Sequence, residues 1–183
     1  MLEYFHLLYQ CDPVNNSRRL FRLNVGFIVH EEVGYKHEFP FEFEQVQISD
    51  DLVLRNFEGL VSIGRTPQGL IVQGDFSAET SLECARCLGA FDNELDWDFT
   101  ELYAFNKKSV SESDLLVPED QQIDLAPLIR EYALLEIPIN PICKPDCRGL
   151  CAVCGENLNE VDCGHKDISE ESPFSGLKDL LDE

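Results

Sequence analysis

The sequence has few basic residues. Its 183 residues include 35 acidic side chains but only 14 Lys and Arg, so the formal net charge is −21. Such a charge repels phosphate groups and favours basic partners, which argues against binding to bare nucleic acid. The one basic cluster, Arg18, Arg19 and Arg22, is too small to indicate nucleic-acid binding by itself.

Long apolar runs are also absent from the sequence. No stretch approaches the roughly 18–20 apolar residues that a membrane-spanning helix needs, and the start, MLEYFHLLYQCDP, contains Glu3 and no basic leader. Hydrophobic residues still make up 44% of the chain, enough to form a core. We therefore expect a soluble, cytoplasmic protein without a membrane segment, whose eight cysteines favour thiolate chemistry over disulfides.

Catalytic motifs are scarce as well. The sequence has no glycine-rich loop of the kind that binds phosphate. His6, His30 and His37 lie apart from any nucleophile motif, so we expect them to be structural or solvated. The sequence therefore predicts a protein that is not an enzyme, and the enzymatic alternatives are a thiol oxidoreductase or a nuclease.

Apolar and polar residues alternate with a period of two over much of the chain, which predicts β-strands. In the first such run Leu23, Val25 and Phe27 are predicted to share one face of a strand. A hairpin turn is predicted at TPQG, between the third and fourth runs. The predicted strand segments are residues 20–29, 39–44, 60–65, 69–83 and 91–105.

The last of these runs has an apolar side and an acidic side. This pattern predicts a half-buried antiparallel strand with a charged outer face. The apolar side comprises Phe91, Leu95, Trp97, Phe99, Tyr103 and Phe105, and the acidic side includes Asp92, Glu94, Asp96 and Asp98. We predict that these four carboxylates bind a basic partner protein, and the alternative is that they only keep the protein soluble.

One main helix is predicted near residues 124–136, after a polar loop at 106–121. Asp124 can act as the N-cap, Pro127 is tolerated in the first turn, and Pro138 ends the helix.

The predicted fold class is α+β: an antiparallel β-rich body of about six or seven strands with one main helix and a C-terminal zinc-binding segment. The predicted domains are residues 1–138, the β-rich body with its helix, and residues 139–183, a cysteine-rich segment packed on that body. This second domain is predicted to include a short C-terminal helix after Ser172 or Pro173.

Residues 143–165, CKPDCRGLCAVCGENLNEVDCGH, contain five cysteines and one histidine. Six ligands are too many for one tetrahedral ion and too few for two. Cys84 and Cys87, a C-x-x-C pair between predicted strands, raise the number to eight, which makes two of the four-ligand sets that structural zinc requires. The predicted sets are Cys151, Cys154, Cys163 and His165, and Cys84, Cys87, Cys143 and Cys147.

Other uses of these cysteines remain open at this point. One zinc ion could be shared among Cys84, Cys87 and two later cysteines, and a rubredoxin-like iron site is a further alternative. Thioredoxin-type chemistry needs a C-x-x-C at a helix N-terminus, which neither pair is predicted to have. We expect two zinc ions per chain, with one as the alternative, and an ordinary thiol at Cys11.

Three segments in order resemble the YceD family: SLECARCLGAF, then DLAPLIREYALLEIPINPIC, then CRGLCAVCGENLN with a final C-G-H. The resemblance runs from about Val25 to the C-terminus. Members of this family are described as large ribosomal RNA subunit accumulation proteins of bacteria and plastids. The resemblance implies a non-enzymatic role in accumulation or processing of large-subunit ribosomal RNA and in ribosome assembly.

The partner implied by the resemblance is a precursor of the large ribosomal subunit. Because the chain is acidic, we expect contact through basic ribosomal proteins or assembly factors. Direct contact with RNA, through the arginine cluster and Arg86, stays open. The alternative function is a zinc-stabilised acidic module that binds basic client proteins without a ribosomal role.

Overall fold

The structure, a computed structural model, describes residues 17–108 and 114–165. In these ranges the chain forms six strands and three helices. In chain order they are α1 (Ser17–Leu20), β1 (Arg22–Asn24), α2 (Gly26–Val29), β2 (Lys36–Ser49), β3 (Leu52–Arg65), β4 (Gly69–Glu83), β5 (Ala90–Ala104), β6 (Gln122–Asp124) and α3 (Ala126–Glu136). The predicted tail helix lies outside the described residues.

Four long strands form the main sheet, in the order β2-β3-β4-β5. The pairs β2–β3 and β3–β4 are antiparallel, and the short strands β1 and β6 form a separate antiparallel pair. The turn predicted at TPQG joins β3 to β4, where the backbone N–H of Thr66 donates to the carbonyl of Gly69 at 2.9 Å. The predicted antiparallel β-rich fold with one main helix, α3, is confirmed.

Aromatic side chains fill the core beneath this sheet. The ring of Phe76 lies 5.5 Å from those of Phe57 and Trp97 and 5.7 Å from that of Phe99, measured between centroids. The apolar side of β5 is buried as predicted, since Leu95, Trp97 and Phe99 are no more than 5% exposed. Their burial supplies much of the hydrophobic stabilisation of this sheet.

The strand predicted over residues 20–29 is wrong in its second half. The strand β1 ends at Asn24, and the helix α2 begins at Gly26, where the side-chain Oδ1 of Asn24 accepts from the Gly26 N–H at 2.9 Å. This local hydrogen bond competes with strand pairing. Phe27 is consequently 44% exposed and does not share a face with the buried Leu23 and Val25.

Contacts within the chain define two compact units. Among the described residues, unit 1 comprises 17–81 and 92–138 without 109–113, and unit 2 comprises 82–91 and 139–165. Unit 1 contains the aromatic core, and unit 2 contains all eight predicted metal ligands. The two domains inferred from the sequence stay a prediction. None of the described helices is both long enough and apolar enough to cross a membrane.

Candidate metal centres

The first predicted ligand set is assembled in unit 2. The Sγ atoms of Cys84, Cys87, Cys143 and Cys147, hereafter centre 1, all lie within 4.8 Å of one another. The Sγ–Sγ distance is 3.8 Å from Cys84 to Cys147 and 3.7 Å from Cys87 to Cys143. A disulfide would bring two sulfurs to about 2.05 Å, whereas four sulfurs about 2.3 Å from a tetrahedral zinc ion lie about 3.8 Å apart. The donor set therefore fits zinc.

The second ligand set is assembled as well. Cys151, Cys154, Cys163 and His165, hereafter centre 2, place their ligand atoms within 4.8 Å of one another. The His165 Nδ1 lies 3.8 Å from the Sγ of Cys151. Three sulfurs and one imidazole nitrogen are a common tetrahedral set for structural zinc. The structure thus divides the eight residues as predicted, and their role as ligands stays a prediction.

The two C-x-x-C pairs adopt the same hairpin. In the first, the Cys84 N–H donates to Gly89 O and the Leu88 N–H donates to Cys84 O, both at 2.9 Å. In the second, the Cys151 N–H donates to Glu156 O at 2.8 Å and the Gly155 N–H donates to Cys151 O at 2.9 Å. Each hairpin holds its two cysteines on one side of a tight turn, so that both sulfurs can reach one ion.

Backbone N–H groups in these turns point at the ligand sulfurs. The Arg86 N–H contacts the Sγ of Cys84 at 3.5 Å, and the Val153 N–H contacts the Sγ of Cys151 at 3.4 Å. Such donors stabilise the negative charge that a thiolate carries when it binds a metal.

Each hairpin also needs one residue in the left-handed region, directly after its second cysteine. In the second hairpin this residue is Gly155, with φ 76°, and glycine adopts this conformation without strain. In the first it is Leu88, with φ 57°, which costs roughly 1–2 kcal/mol for a residue with a side chain. A glycine in the sequence can indicate such a turn, whereas Leu88 could not be singled out from the sequence, because leucine gives no indication of a left-handed turn.

The two centres differ in exposure. Cys84 is fully buried, and together with Cys87 and Cys147 it forms the buried cluster of unit 2, against which Phe91 packs. Centre 2 lies nearer the solvent, because Cys154 is exposed. Centre 1 therefore occupies the position that an apolar core would take in a larger domain.

Within each centre the pKa of one thiol is lowered and that of another is raised. Hydrogen bonds from backbone N–H groups, the largest contribution being that of Cys143, lower the pKa of Cys84 to about 6. Hydrogen bonds of the same kind, that of Cys154 first, lower the pKa of Cys151 to about 6. Burial raises the pKa of Cys143 to about 12. At neutral pH a divalent cation would therefore meet a thiolate in each centre and displace protons from the thiols that remain protonated.

The predicted acidic residues all face outward from β5. Asp92, Glu94, Asp96 and Asp98 are exposed, and they alternate with inward-facing residues. Asp92 forms an ion pair with Arg55. For the other three, the described part of the chain shows no ion pair.

The predicted basic residues are only partly available for binding. Arg22 forms an ion pair with Asp120 at 2.7 Å, and Arg19 is exposed. The Nη1 of Arg86 donates to the carbonyl of Cys147 at 3.1 Å, so this guanidinium helps to hold unit 2 together. The side chain of Arg18 lies outside the described residues.

The predicted structural or solvated roles fit two of the histidines. His37 lies between the rings of Phe27 and Phe39, with centroid distances of 5.0 and 4.8 Å, and His30 is exposed. His6 and Cys11 lie outside the described residues.

Comparison with known proteins identifies a family to which the chain is similar. Residues 72–181 match the model of the family described as large ribosomal RNA subunit accumulation protein YceD. The chain belongs to the YceD family. The matched range of this chain includes β5 and both candidate centres.

Individual relatives cover part of the chain. Uncharacterized protein Rv2926c of Mycobacterium tuberculosis is 33% identical over 118 residues, which are 62% of this chain and 56% of that protein. The large ribosomal RNA subunit accumulation protein YCED homolog 1, chloroplastic, of Zea mays is 31% identical over 109 residues, 57% of this chain and 31% of that protein. The match thus spans about half of the mycobacterial relative. No solved structure matches the chain.

Proposed function

We propose that this YceD protein is a non-enzymatic, cytoplasmic factor that supports accumulation and processing of large-subunit ribosomal RNA during ribosome assembly. The observation that carries the proposal is the family match over residues 72–181, whose description names accumulation of the large ribosomal RNA subunit. The partner is a precursor of the large ribosomal subunit, contacted through basic ribosomal proteins or assembly factors.

Each centre is proposed to hold one structural Zn²⁺, which gives two ions per chain. Support comes from two separate four-residue donor sets and from the sulfur spacing in centre 1. Cysteine and imidazole ligands select soft or borderline metals over Mg²⁺ and Ca²⁺. A rubredoxin-like iron ion is the alternative at the four-sulfur centre 1, and elemental analysis of protein purified without chelator distinguishes the two.

The donor sets also support a role without catalysis. A catalytic zinc ion keeps one coordination position for water or substrate, whereas four protein ligands fill a tetrahedral ion. Both centres offer four protein ligands. The ions would then stabilise the fold of unit 2 and take no part in chemistry.

Sedimentation of cell extracts tests the ribosomal role. The protein is expected to migrate with immature large subunits in a sucrose gradient, and its depletion is expected to lower large-subunit ribosomal RNA relative to small-subunit ribosomal RNA. Protein that stays at the top of the gradient, with an unchanged RNA ratio after depletion, would contradict the proposal.

The outer face of β5 is proposed to bind the basic partner. Glu94, Asp96 and Asp98 follow one another at every second residue, so they lie about 6.6–7 Å apart along the strand. This spacing is within reach of successive long Lys or Arg side chains. The chain's charge of −21 adds a long-range attraction for a basic protein.

Neutralising this face is expected to slow partner association. The variant with Glu94→Gln, Asp96→Asn and Asp98→Asn retains Asp92 and its ion pair with Arg55. Association at low salt should fall by about tenfold or more, with a smaller change in dissociation, because exposed charges mainly steer encounter. The measurement is binding kinetics against the captured partner at two salt concentrations.

A matched control lies on β2. Glu38, Glu42 and Glu44 are also exposed, so their replacement by Gln removes the same charge from the opposite edge strand of the same sheet. The control variant should bind more nearly like the parent. Equal association rates for the β5 variant and the parent at low salt would exclude β5 as the docking face.

The charge also supports a second candidate function: a zinc-stabilised acidic module that binds basic client proteins without a ribosomal role. This candidate predicts capture of basic proteins by β5 and no co-migration with large-subunit precursors. The gradient experiment therefore separates it from the first candidate.

A further inference from the structure

The segment that follows the hairpin of centre 2 returns to the ligands of centre 1. The Leu158 N–H donates to Gly149 O at 2.9 Å, and Leu150 forms an antiparallel bridge with Asn157. The Leu150 N–H in turn donates to Arg86 O, inside the first hairpin, at 3.1 Å. Backbone hydrogen bonds thus join the two ligand sets within unit 2.

One side chain in this segment contacts a ligand of centre 1 directly. The Oδ1 of Asn159 accepts from the Arg148 N–H at 2.9 Å, and its Nδ2 lies 3.4 Å from the Sγ of Cys147. A backbone N–H can only donate, so the Arg148 contact fixes which end of the amide is oxygen. The NH₂ group of Asn159 therefore faces the sulfur.

A second asparagine holds the first in place. The Oδ1 of Asn157 accepts from the backbone N–H of Asn159 at 3.0 Å and from its Nδ2 at 2.8 Å. The Nδ2 of Asn157 donates to Glu160 Oε1 at 3.1 Å. These residues directly follow Glu156, the last residue of the centre 2 hairpin. When that hairpin is folded, it therefore holds Asn159 in this position.

We propose that Asn159 is a positioning residue that couples metal binding at the two centres. The inference rests on the proposed metal centres and goes beyond them. An ion at centre 2 fixes the hairpin and the segment 157–160, and this segment places the side-chain NH₂ group of Asn159 against the Sγ of Cys147. A hydrogen bond donated to a ligand sulfur stabilises its charge in the metal-bound state, as outer-shell partners of metal ligands do. Because coupling is reciprocal, an ion at centre 1 also strengthens binding at centre 2.

The test measures the metal affinity of centre 1 in four full-length proteins. They are the parent, Asn159→Ala, a variant with centre 2 disabled by Cys163→Ser and His165→Ala, and the combination of all three substitutions. The reduced apo-proteins are titrated with Co²⁺ in competition with a chelator. The absorption bands of a four-sulfur site differ from those of a three-sulfur, one-nitrogen site, so the two centres are followed separately.

We expect Asn159→Ala to weaken centre 1 by about 10- to 100-fold, the usual effect of losing an outer-shell partner. Loss of centre 2 should weaken centre 1 by a similar factor, and the combined variant should show little further loss. Such non-additivity is what a double-mutant cycle reports for coupled groups. Additive losses, or an unchanged centre 1 affinity in Asn159→Ala, would overturn the coupling.

Two further variants identify the hydrogen bond itself. Asn159→Asp keeps an acceptor for Arg148 but removes the donor to Cys147, so it should weaken centre 1 at least as much as Asn159→Ala. Asn140→Ala makes the same truncation at an exposed position of unit 2 and should leave both affinities unchanged. A parent protein that binds no metal at either centre would overturn the proposed centres, whereas two filled but independent centres would overturn only the coupling.

Discussion

Removal of bound metal is expected to unfold unit 2 and to leave unit 1 folded. In the described residues, the buried cluster of unit 2 consists of Cys84, Cys87 and Cys147, with Phe91 and Cys143 packed against it. So small an apolar core cannot hold a short chain by itself. Structural zinc supplies about 10–16 kcal/mol of apparent binding free energy in small zinc-binding peptides. Loss of that contribution should exceed the stability of the unit.

The chain contains its own reporter for unit 1. Trp97 is the single tryptophan, and it is 5% exposed in the aromatic core, so its fluorescence reports on unit 1 alone. After treatment with chelator and reductant, the emission of Trp97 should stay unchanged. Amide hydrogen exchange should show lost protection at Cys84, Leu150 and Cys151, whose N–H groups form the hydrogen bonds of unit 2.

Retained protection in unit 2 after complete removal of metal would show that the ions are dispensable for its fold. A red shift of the Trp97 emission that accompanies metal loss would instead show that unit 1 depends on the ions. Re-addition of Zn²⁺ to the reduced protein should restore the lost protection, which distinguishes metal removal from damage to the thiols.

The sequence predicted correctly those parts of the fold in which the pattern of apolar and polar residues matches the burial of the side chains. From Asp92 to Asp98 every second residue of β5 is acidic, and because these carboxylates must face solvent, Trp97 and Phe99 must face the core. The end of the main helix was predicted from Pro138, and α3 does end at Glu136. The predicted N-cap, Asp124, is wrong by one residue: the N-cap is Leu125, and the Asp124 Oδ1 accepts from the Ala126 N–H at 3.0 Å from the position before it.

The parts that the sequence did not predict depend on single local contacts. The strand expected through Val25 gives way to a helix because Asn24 accepts from the Gly26 N–H, an alternative that alternation cannot show. Asn159 was not singled out at all. Its proposed role depends on contacts with Arg148 and Cys147, eleven and twelve residues away, and an asparagine between cysteines is otherwise an ordinary turn residue.

The division of the eight predicted ligands could be predicted only as one of several alternatives. Cys151, Cys154, Cys163 and His165 lie within 15 residues of one another in the sequence, whereas the distant partners of Cys84 and Cys87 depend on how the chain returns after α3. The structure supplies that return through the hydrogen bond from the Ala85 N–H to Pro141 O at 2.7 Å, two residues before Cys143. This division of the ligands predicts how many metal ions each ligand variant should hold.

Single ligand substitutions are expected to remove one ion each, and pairs of substitutions should show which ligands share an ion. Cys84→Ser and Cys143→Ser should each lower the content from two zinc ions to one, and the double variant should still hold one, because both residues belong to centre 1. Cys84→Ser combined with Cys163→Ser should hold none, since one ligand is lost from each centre. Serine is nearly isosteric with cysteine but stays protonated at neutral pH, so it does not replace the thiolate.

The measurement is elemental analysis of each variant, purified without chelator and normalised to protein concentration. Weak binding by three remaining ligands would raise the apparent content, so each sample is dialysed against a chelator of intermediate affinity before it is analysed. If one zinc ion were shared among Cys84, Cys87 and two later cysteines, the parent would hold one ion. Zero ions in the Cys84→Ser, Cys143→Ser double variant would show that the two centres do not fill separately. We expect centre 2 to keep its ion in that double variant, because all four of its own ligands remain. Loss of the coupling through Asn159 should lower the affinity of centre 2 without emptying it.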